Sequence, residues 1–372
     1  MLIGVPKEIK NHEYRVSITP TGVKELIRHG HQVIVESQAG EAIGFDDNQY
    51  IGVGALVADK VEDVFERADM IVKVKEPQPI ECEMLREGQL LFCYQHLAAE
   101  PKIADMLLKS GCIAIAYETV TDISGGLPLL APMSEVAGRM AVQAGAHCLE
   151  KANSGRGVLL SGVPGVAAGN VLVLGGGVVG TNAAQIAVGM GANVTILERS
   201  IRRIRELEHI FNNRANIIYS TSGILEEYIS CADLVVGAVL IPGAAAPKLV
   251  TEKMVSSMKN GSVVVDVAID QGGCFETSKP TTHENPTYIV DGVVHYCVTN
   301  IPGAVAYTAS RALENSTLPY IIALADKGYR TALREDKHFC NGLNIYRGRV
   351  THEVVAHELN HAYVPPSTFL VG

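Results

Sequence analysis

Residues 170–198 read NVLVLGGGVVGTNAAQIAVGMGANVTILE. An apolar run opens the stretch, and Gly175-Gly176-Gly177-Val178-Val179-Gly180 follows it in the spacing G-x-G-x-x-G. A helical pattern comes next, then a second apolar run that ends on Glu198. The order predicts strand, tight turn, helix, strand. Gly175 permits the turn, Gly177 lets main chain approach a pyrophosphate, and Gly180 lets helix and strand pack closely. The helix N-terminus then offers free N–H groups and the positive end of a dipole to phosphates. An acid about twenty residues after the loop suits a ribose 2′-hydroxyl and repels a 2′-phosphate. Glu198 therefore points to NAD rather than NADP, although Arg199, Arg202 and Arg203 stand close by. A glycine-rich turn with no ligand is the alternative, and the strand, loop and acid together argue against it.

Downstream, NIIYS, DLVVGAVL, SVVVDVAI and VVHYCVTN read as further strands. Such near-continuous apolar runs are expected where both sheet faces are covered. SIRRIRELEHIF reads as an amphipathic helix with Ile201, Ile204, Leu207 and Ile210 or Phe211 on one side. Upstream, HQVIVES, MIVKVKEP, QLLFCYQHLAA and CIAIAYETV read as strands, alternating with helical patterns such as TPTGVKELIRHG. Alternation of this kind builds parallel sheets from βαβ units. Ser134–Ala152 reads as a connecting helix with Ser134 as its N-cap. After Asn300 the pattern is helical, with a break expected at Pro319, and no new βαβ series follows. The last segment, from Gly342, is too short for a domain and is expected to pack back on the first one. The fold class is thus α/β: two Rossmann-like domains with parallel sheets, joined by long helices. The expected division is residues 1–133 with 305–372 for substrate and catalysis, and 134–304 for the dinucleotide.

Composition excludes several classes. The 372 residues are 47% hydrophobic and 19% charged, with a net charge of −9 and no basic block, so nucleic acid is not an expected partner. The eight cysteines show no C-x-x-C spacing, and the N-terminus has no apolar secretory region. Reduced thiols in a cytoplasmic protein are expected. From Gly157 to Leu197 no residue is charged, but serine, proline, asparagine, glutamine and glycines interrupt it, so no membrane span is read there.

Four polar residues stand out by placement. Arg15 lies between a strand and a helix, Lys75 and His96 lie at strand ends, and Asp270 follows VVVDVAI. Ligands collect at the C-terminal ends of strands in open α/β sheets. Oxidising an amino acid needs a cation for its carboxylate, which the arginine fork suits. It also needs a proton acceptor near neutral pH, the usual task of histidine. It needs no metal. HELNH, with His357 and His361 at i, i+4 and His352 upstream, matches a zinc-protease pattern. Only eleven residues follow His361, too few to supply a further ligand, and no metal site is expected.

IGVPKEIKNHEYRVSITP, VKVKEP, YQHLAA, APMSEVAGRMA, GGVVG, DVAIDQGGC and HYCVTNIPGAV occur in that order. In these segments the chain resembles the bacterial L-alanine dehydrogenase family over essentially its whole length. The resemblance implies reversible conversion of L-alanine, NAD and water to pyruvate, ammonia and NADH, in a cytoplasmic homohexamer. It implies that Arg15 and Lys75 bind substrate, that His96 is the general acid/base and that Asp270 is the second catalytic residue. It implies an NAD site lined by Ser134, Val178, Val179, Glu198, Arg203 and Ser220. Val239, Leu240, Ala268, Ile269 and Asp270 would continue that lining, with Lys279, Val298, Asn300 and Ile301.

Some positions depart from the family pattern. Relatives often carry Asp where this chain has Glu198, and positions 203 and 279 vary among basic residues. Some members hold a metal through acidic or histidine side chains on a C-terminal helix, where this chain has Ala323 and Lys327. Two rival readings remain: the nucleotide-binding part of a proton-translocating transhydrogenase, and an NAD-sensing protein without turnover. His96 in YQHLAA is an acid/base that the transhydrogenase does not need, and an assay with alanine and NAD separates the enzyme from both.

Overall fold

A computed structural model describes residues 1–239 and 246–370. The chain divides into two compact units, Met1–Met133 with Val305–Gly372, and Ser134–Ala304. In chain order the strands are β1 (Leu2–Val5), β2 (Gln32–Glu36), β3 (Leu56–Ala58), β4 (Met70–Val72), β5 (Leu90–Cys93) and β6 (Ile113–Ala116). The second unit holds β7 (Asn170–Leu174), β8 (Asn193–Glu198), β9 (Asn216–Tyr219), β10 (Leu234–Gly237), β11 (Val263–Asp266), β12 (Thr287–Val290) and β13 (Val293–Tyr296). The chain then returns to the first unit with β14 (Leu343–Tyr346) and β15 (Arg349–Val350).

The first sheet runs β15-β14-β6-β5-β4-β1-β2-β3 and the second β12-β13-β11-β10-β7-β8-β9. In each, six parallel strands follow the doubly wound order 3-2-1-4-5-6, counted from β1 and from β7, with β13 as the sixth parallel strand of the second sheet because β12 is antiparallel. The order reverses between β1 and β4 in one sheet and between β7 and β10 in the other, which puts a crevice at the strand ends of each. Neither sheet is wholly parallel. β14 adds antiparallel to β6, β15 to β14, and β12 to β13. Short hairpins join β14 to β15 and β12 to β13, because two antiparallel strands need only a tight turn, whereas β14 meets β6 from a distant part of the chain.

Each unit has its own core. Ile34, Phe65, Leu91, Leu107 and Ile345 belong to one cluster, and Leu172, Leu197, Val235, Val264 and Phe275 to another. Among the described residues no helix is long and apolar enough to cross a membrane.

Three local readings of the sequence are corrected. The helix expected from Ser134 spans Ala131–Cys148, so Ser134 lies inside it and caps nothing. The helix Ala306–Lys327 runs unbroken through Pro319. Proline removes one backbone donor there, but Thr317, Ile321 and Leu324 on either side are fully buried, and that packing holds the helix together. In Ile201–Phe211 only Leu207 and Phe211 are buried, while Ile201 and Ile210 face solvent.

Candidate active site

In the first unit β1, β4, β5 and β6 are consecutive neighbours, and the loops leaving their C-terminal ends carry Arg15, Lys75 and His96 in the first three cases. The long loop after β1 is pinned at its far end, where Val16 N–H donates to Ser310 Oγ at 3.0 Å and Thr19 N–H to Glu314 Oε1 at 2.6 Å. Arg15 is 2% exposed and paired in a fork with Glu13, Nε to Oε1 at 2.7 Å and Nη2 to Oε2 at 2.6 Å. Its Nη1 meets Met133 Sδ at 3.1 Å. Burial works against the guanidinium, but Glu13 outweighs it and raises the Arg15 pKa.

The β4 end is held by a buried ion cluster. Lys73 lies 3.0 Å from Glu8 Oε2 and 2.8 Å from Glu81 Oε1. Burial alone would discharge the Lys73 ammonium, but two carboxylates raise its pKa. Glu8 Oε1 also accepts from the main chain of Val74 at 2.7 Å and of Lys75 at 3.3 Å, so one carboxylate from the β1 loop fixes the segment that bears Lys75.

His96 is exposed and has φ +47°. A non-glycine residue enters this left-handed region only when its surroundings hold it there. Glu118, just after β6, provides the restraint. Its Oε1 accepts His96 N–H at 2.6 Å, and its two oxygens accept Gln95 N–H at 3.1 and 3.2 Å. The His96 ring stacks on Tyr94 with centroids 5.9 Å apart and planes 9° apart. Tyr94 Oη donates to the Leu129 carbonyl at 2.5 Å. Burial raises the Tyr94 pKa, while Arg15 and Glu118 act on it electrostatically in opposite directions, so Arg15, Tyr94, His96 and Glu118 form one neighbourhood. Gln95 is fully buried, and neither of its amide atoms has a hydrogen-bond partner among the described residues.

In the second unit the glycine loop leaves β7 and enters the helix Val178–Gly189. Its glycines answer to different demands. Gly175 has φ +94°, and a Cβ on Gly180 would sit 1.8 Å from the Gly175 carbonyl oxygen, so the fold itself requires both. A Cβ on Gly176 would strike Leu207 at 2.4 Å. Gly177 is different: φ is −67°, and a Cβ there meets nothing within 4 Å. Open space beside an uncapped N-terminus, with Val178 43% exposed, fits a pyrophosphate packed against bare main chain.

Glu198, at the end of β8, accepts from Gly176 N–H at 2.8 Å and from the main chain of Arg199 and Ser200 at 2.7 and 2.8 Å. The carboxylate is thereby fixed at the mouth of the loop, where a ribose would lie. Arg203 is committed elsewhere: Nε to the Gly176 carbonyl at 2.7 Å, Nη2 to Thr181 Oγ1 at 2.9 Å and Nη1 to Glu206 at 2.7 Å. Arg202 pairs with Glu206 as well. The basic residue nearest the loop thus braces it.

The remaining expected positions also gather at strand ends of the second sheet. Ser220 follows β9 and Val239 follows β10, while Leu240 lies outside the described residues. Ala268, Ile269 and Asp270 lie on the 3₁₀ turn Val267–Gln271 after β11, with Ala268 and Ile269 buried and Asp270 exposed. Asp266, fully buried at the end of β11, accepts from Ala268 N–H, Cys274 N–H and Ser278 Oγ at 3.1, 2.9 and 2.5 Å, and so ties both ends of the loop that carries Asp270. Val298 and Ile301 are buried, Asn300 has φ +63°, and Lys279 is exposed with its N–H on Tyr288 Oη at 2.7 Å. Ser134 is half-buried within its helix.

The C-terminal histidines do not converge. His357 is on the helix Glu353–Glu358 beside Glu358, His361 lies beyond that helix 3.4 Å from Asp105, and His352 accepts Val355 N–H as an N-cap. No group of three or more potential ligands is arranged for a metal among the described residues.

The chain matches the family Alanine dehydrogenase/PNT, N-terminal domain, over residues 4–137 and Alanine dehydrogenase/PNT, C-terminal domain, over residues 141–353. The chain belongs to the alanine dehydrogenase/PNT family. An alanine dehydrogenase of Halomonas elongata is 58% identical over 370 residues, covering all of both chains. A solved L-alanine dehydrogenase superposes with TM-score 0.94 at 51% identity, covering 97% of this chain and 99% of that one. A transhydrogenase from Sinorhizobium meliloti superposes with TM-score 0.81 at 25% identity, covering 95% of this chain and 99% of that one. The family is a dehydrogenase family with a nucleotide-binding domain, as the glycine loop implies.

Sequence reasoning passed over Glu8, Glu13, Glu118 and Asp266. Glu13 had a local signal, an acid two residues before the candidate arginine. Glu118 and Asp266 had none, because their partners come from a neighbouring strand or a folded-back loop.

Proposed function

We propose that this chain catalyses the reversible NAD-dependent oxidative deamination of L-alanine to pyruvate and ammonia. The observation that carries the reading is the placement of a buried arginine, a lysine and an exposed histidine on loops after three adjacent parallel strands, β1, β4 and β5. The whole-length likeness to alanine dehydrogenases supports it.

In this reading Arg15 receives the substrate carboxylate. Glu13 holds one edge of the guanidinium, and Met133 Sδ is a weak acceptor that a carboxylate replaces. Lys75 holds the end of alanine that becomes the carbonyl, its main chain fixed by Glu8. NAD, when bound, would supply the hydride acceptor at Cα, once the substrate ammonium has lost a proton to become the free amine. His96 removes a proton from the water that adds to the resulting iminium carbon, returns it to the nitrogen, and takes the hydroxyl proton as the carbinolamine expels ammonia and collapses to pyruvate. Asp270 assists as the second catalytic residue. The loop Gly175–Gly180 and Glu198 hold the pyrophosphate and the adenosine ribose. We also propose that the enzyme acts in the cytoplasm as a homohexamer, and that residues 1–133 with 305–372 serve substrate while 134–304 serve NAD.

Alanine and NAD at alkaline pH should give NADH absorbance, and His96→Ala should lose most turnover while still binding NADH. Wild-type turnover in that variant would sink the role of His96. Intact NADH binding with no turnover in the wild type would favour a non-enzymatic sensor. The transhydrogenase reading is less favoured, because the likeness to alanine dehydrogenases is much stronger, at 58% and 51% identity against 25% for the transhydrogenase.

A further inference from the structure

We propose that Glu118 is a positioning residue for the reaction: its carboxylate holds the main chain at Gln95 and His96 so that the imidazole is presented at the end of β5. The inference rests on His96 being the acid/base. Consecutive N–H groups converging on an anion, with one residue in the left-handed region, form the kind of concavity that binds anionic ligands. Here the anion is internal, with Glu118 accepting His96 N–H at 2.6 Å and Gln95 N–H at 3.1 and 3.2 Å.

The restraint matters because the ring cannot hold itself. His96 is exposed and stacks only loosely on Tyr94, at 5.9 Å, so the direction of the side chain follows from the main chain. With φ at +47°, that main chain would relax toward a commoner conformation without the anion. The carboxylate itself stands on firm ground. β5 and β6 pair in register up to Cys93 and Ala116, and the turn Tyr117–Thr119 follows at once. Tyr117 is fully buried with its ring edge-on to Phe92 at 4.4 Å, and Thr119 Oγ1 donates to Asn344 at 3.0 Å. Glu118 also acts electrostatically on Tyr94 and on His352.

Glu118→Gln offers one acceptor where two N–H groups converge and turns an NH₂ toward the other. The expected result is a kcat for alanine oxidation lower by about tenfold or more, equivalent to about 1.4 kcal/mol, with the NADH dissociation constant unchanged within about twofold. The same substitution in a His96→Ala background should cost nothing further, because Glu118 acts through His96. Equal losses in the two backgrounds, or full kcat in Glu118→Gln, would overturn the proposal. Should Glu118→Gln not fold, Glu118→Asp keeps the charge and withdraws it by about one bond length. It too should lose rate, and full rate there would also overturn positioning. Wild-type turnover in His96→Ala alone removes the functional reading and this inference with it. Loss in His96→Ala with full rate in Glu118→Gln removes the inference alone.

Discussion

Alanine at position 177 is expected to leave the fold intact and to weaken NADH binding by about tenfold or more, while alanine at 180 damages the fold itself. The two glycines are three residues apart, Gly177 at the N-cap and Gly180 in the first turn of the helix, so the contrast isolates what each is for. At Gly177 φ is −67°, and a new Cβ meets no atom within 4 Å. Alanine is a poorer N-cap than glycine, so stability should fall by no more than about 1 kcal/mol. The added methyl stands where bare main chain would receive a pyrophosphate, and tenfold weaker binding corresponds to about 1.4 kcal/mol. At Gly180 the new Cβ would lie 1.8 Å from the Gly175 carbonyl oxygen, where real Cβ contacts essentially never fall under 3.0 Å. Helix and strand must separate by more than an ångström, and the obstacle is backbone rather than a flexible side chain. Overpacking of that severity costs about 3 kcal/mol or more. Urea unfolding reads the stabilities, and fluorescence titration with NADH reads the binding. Wild-type NADH affinity in Gly177→Ala would refute the placement of the pyrophosphate. Wild-type stability in Gly180→Ala would refute the packing argument.

Other expectations follow from buried polar groups. Lys73→Met should cost about 3–5 kcal/mol, because it strands the Glu8 and Glu81 carboxylates in the core. Burial already raises Glu8, so the loss should grow as pH rises through the carboxylate range; denaturant midpoints independent of pH would count against it. Gln95→Met replaces a buried side-chain amide that has no partner among the described residues and should raise stability by about 1 kcal/mol, whereas a clear drop in thermal midpoint would mean the amide has a partner after all. Burial lowers the pKa of His295, which is hydrogen-bonded to Thr277 Oγ1 and the Val293 carbonyl. A depressed folded pKa means the unfolded chain binds the extra proton first, so stability is present above the ordinary value of 6.5 and lost as pH falls below it. His295→Gln should flatten that part of the stability–pH curve, and an unchanged slope would refute the assignment.

The sequence by itself determined the two βαβ series, the glycine loop with its acid at Glu198, and the family. These features are local: strand hydrophobicity, turn chemistry and a fixed spacing between loop and acid are written within some thirty residues. It also picked out Arg15, Lys75, His96 and Asp270, by strand-end placement and by resemblance. What it could not contain is which groups hold them. Glu8 reaches the β4 end from the β1 loop, Glu118 reaches the β5 end from β6, and Asp266 closes its own loop from eight to twelve residues away. The commitment of Arg203 to the Gly176 carbonyl, rather than to a cofactor phosphate, likewise appears only once a helix is laid beside the loop. Nor did the helical pattern show that the helix would pass through Pro319, because the burial that sustains it comes from the rest of the unit. Periodicity and motif specify which elements form, whereas a carboxylate's partner depends on which strand ends become neighbours, and sheet order decides that.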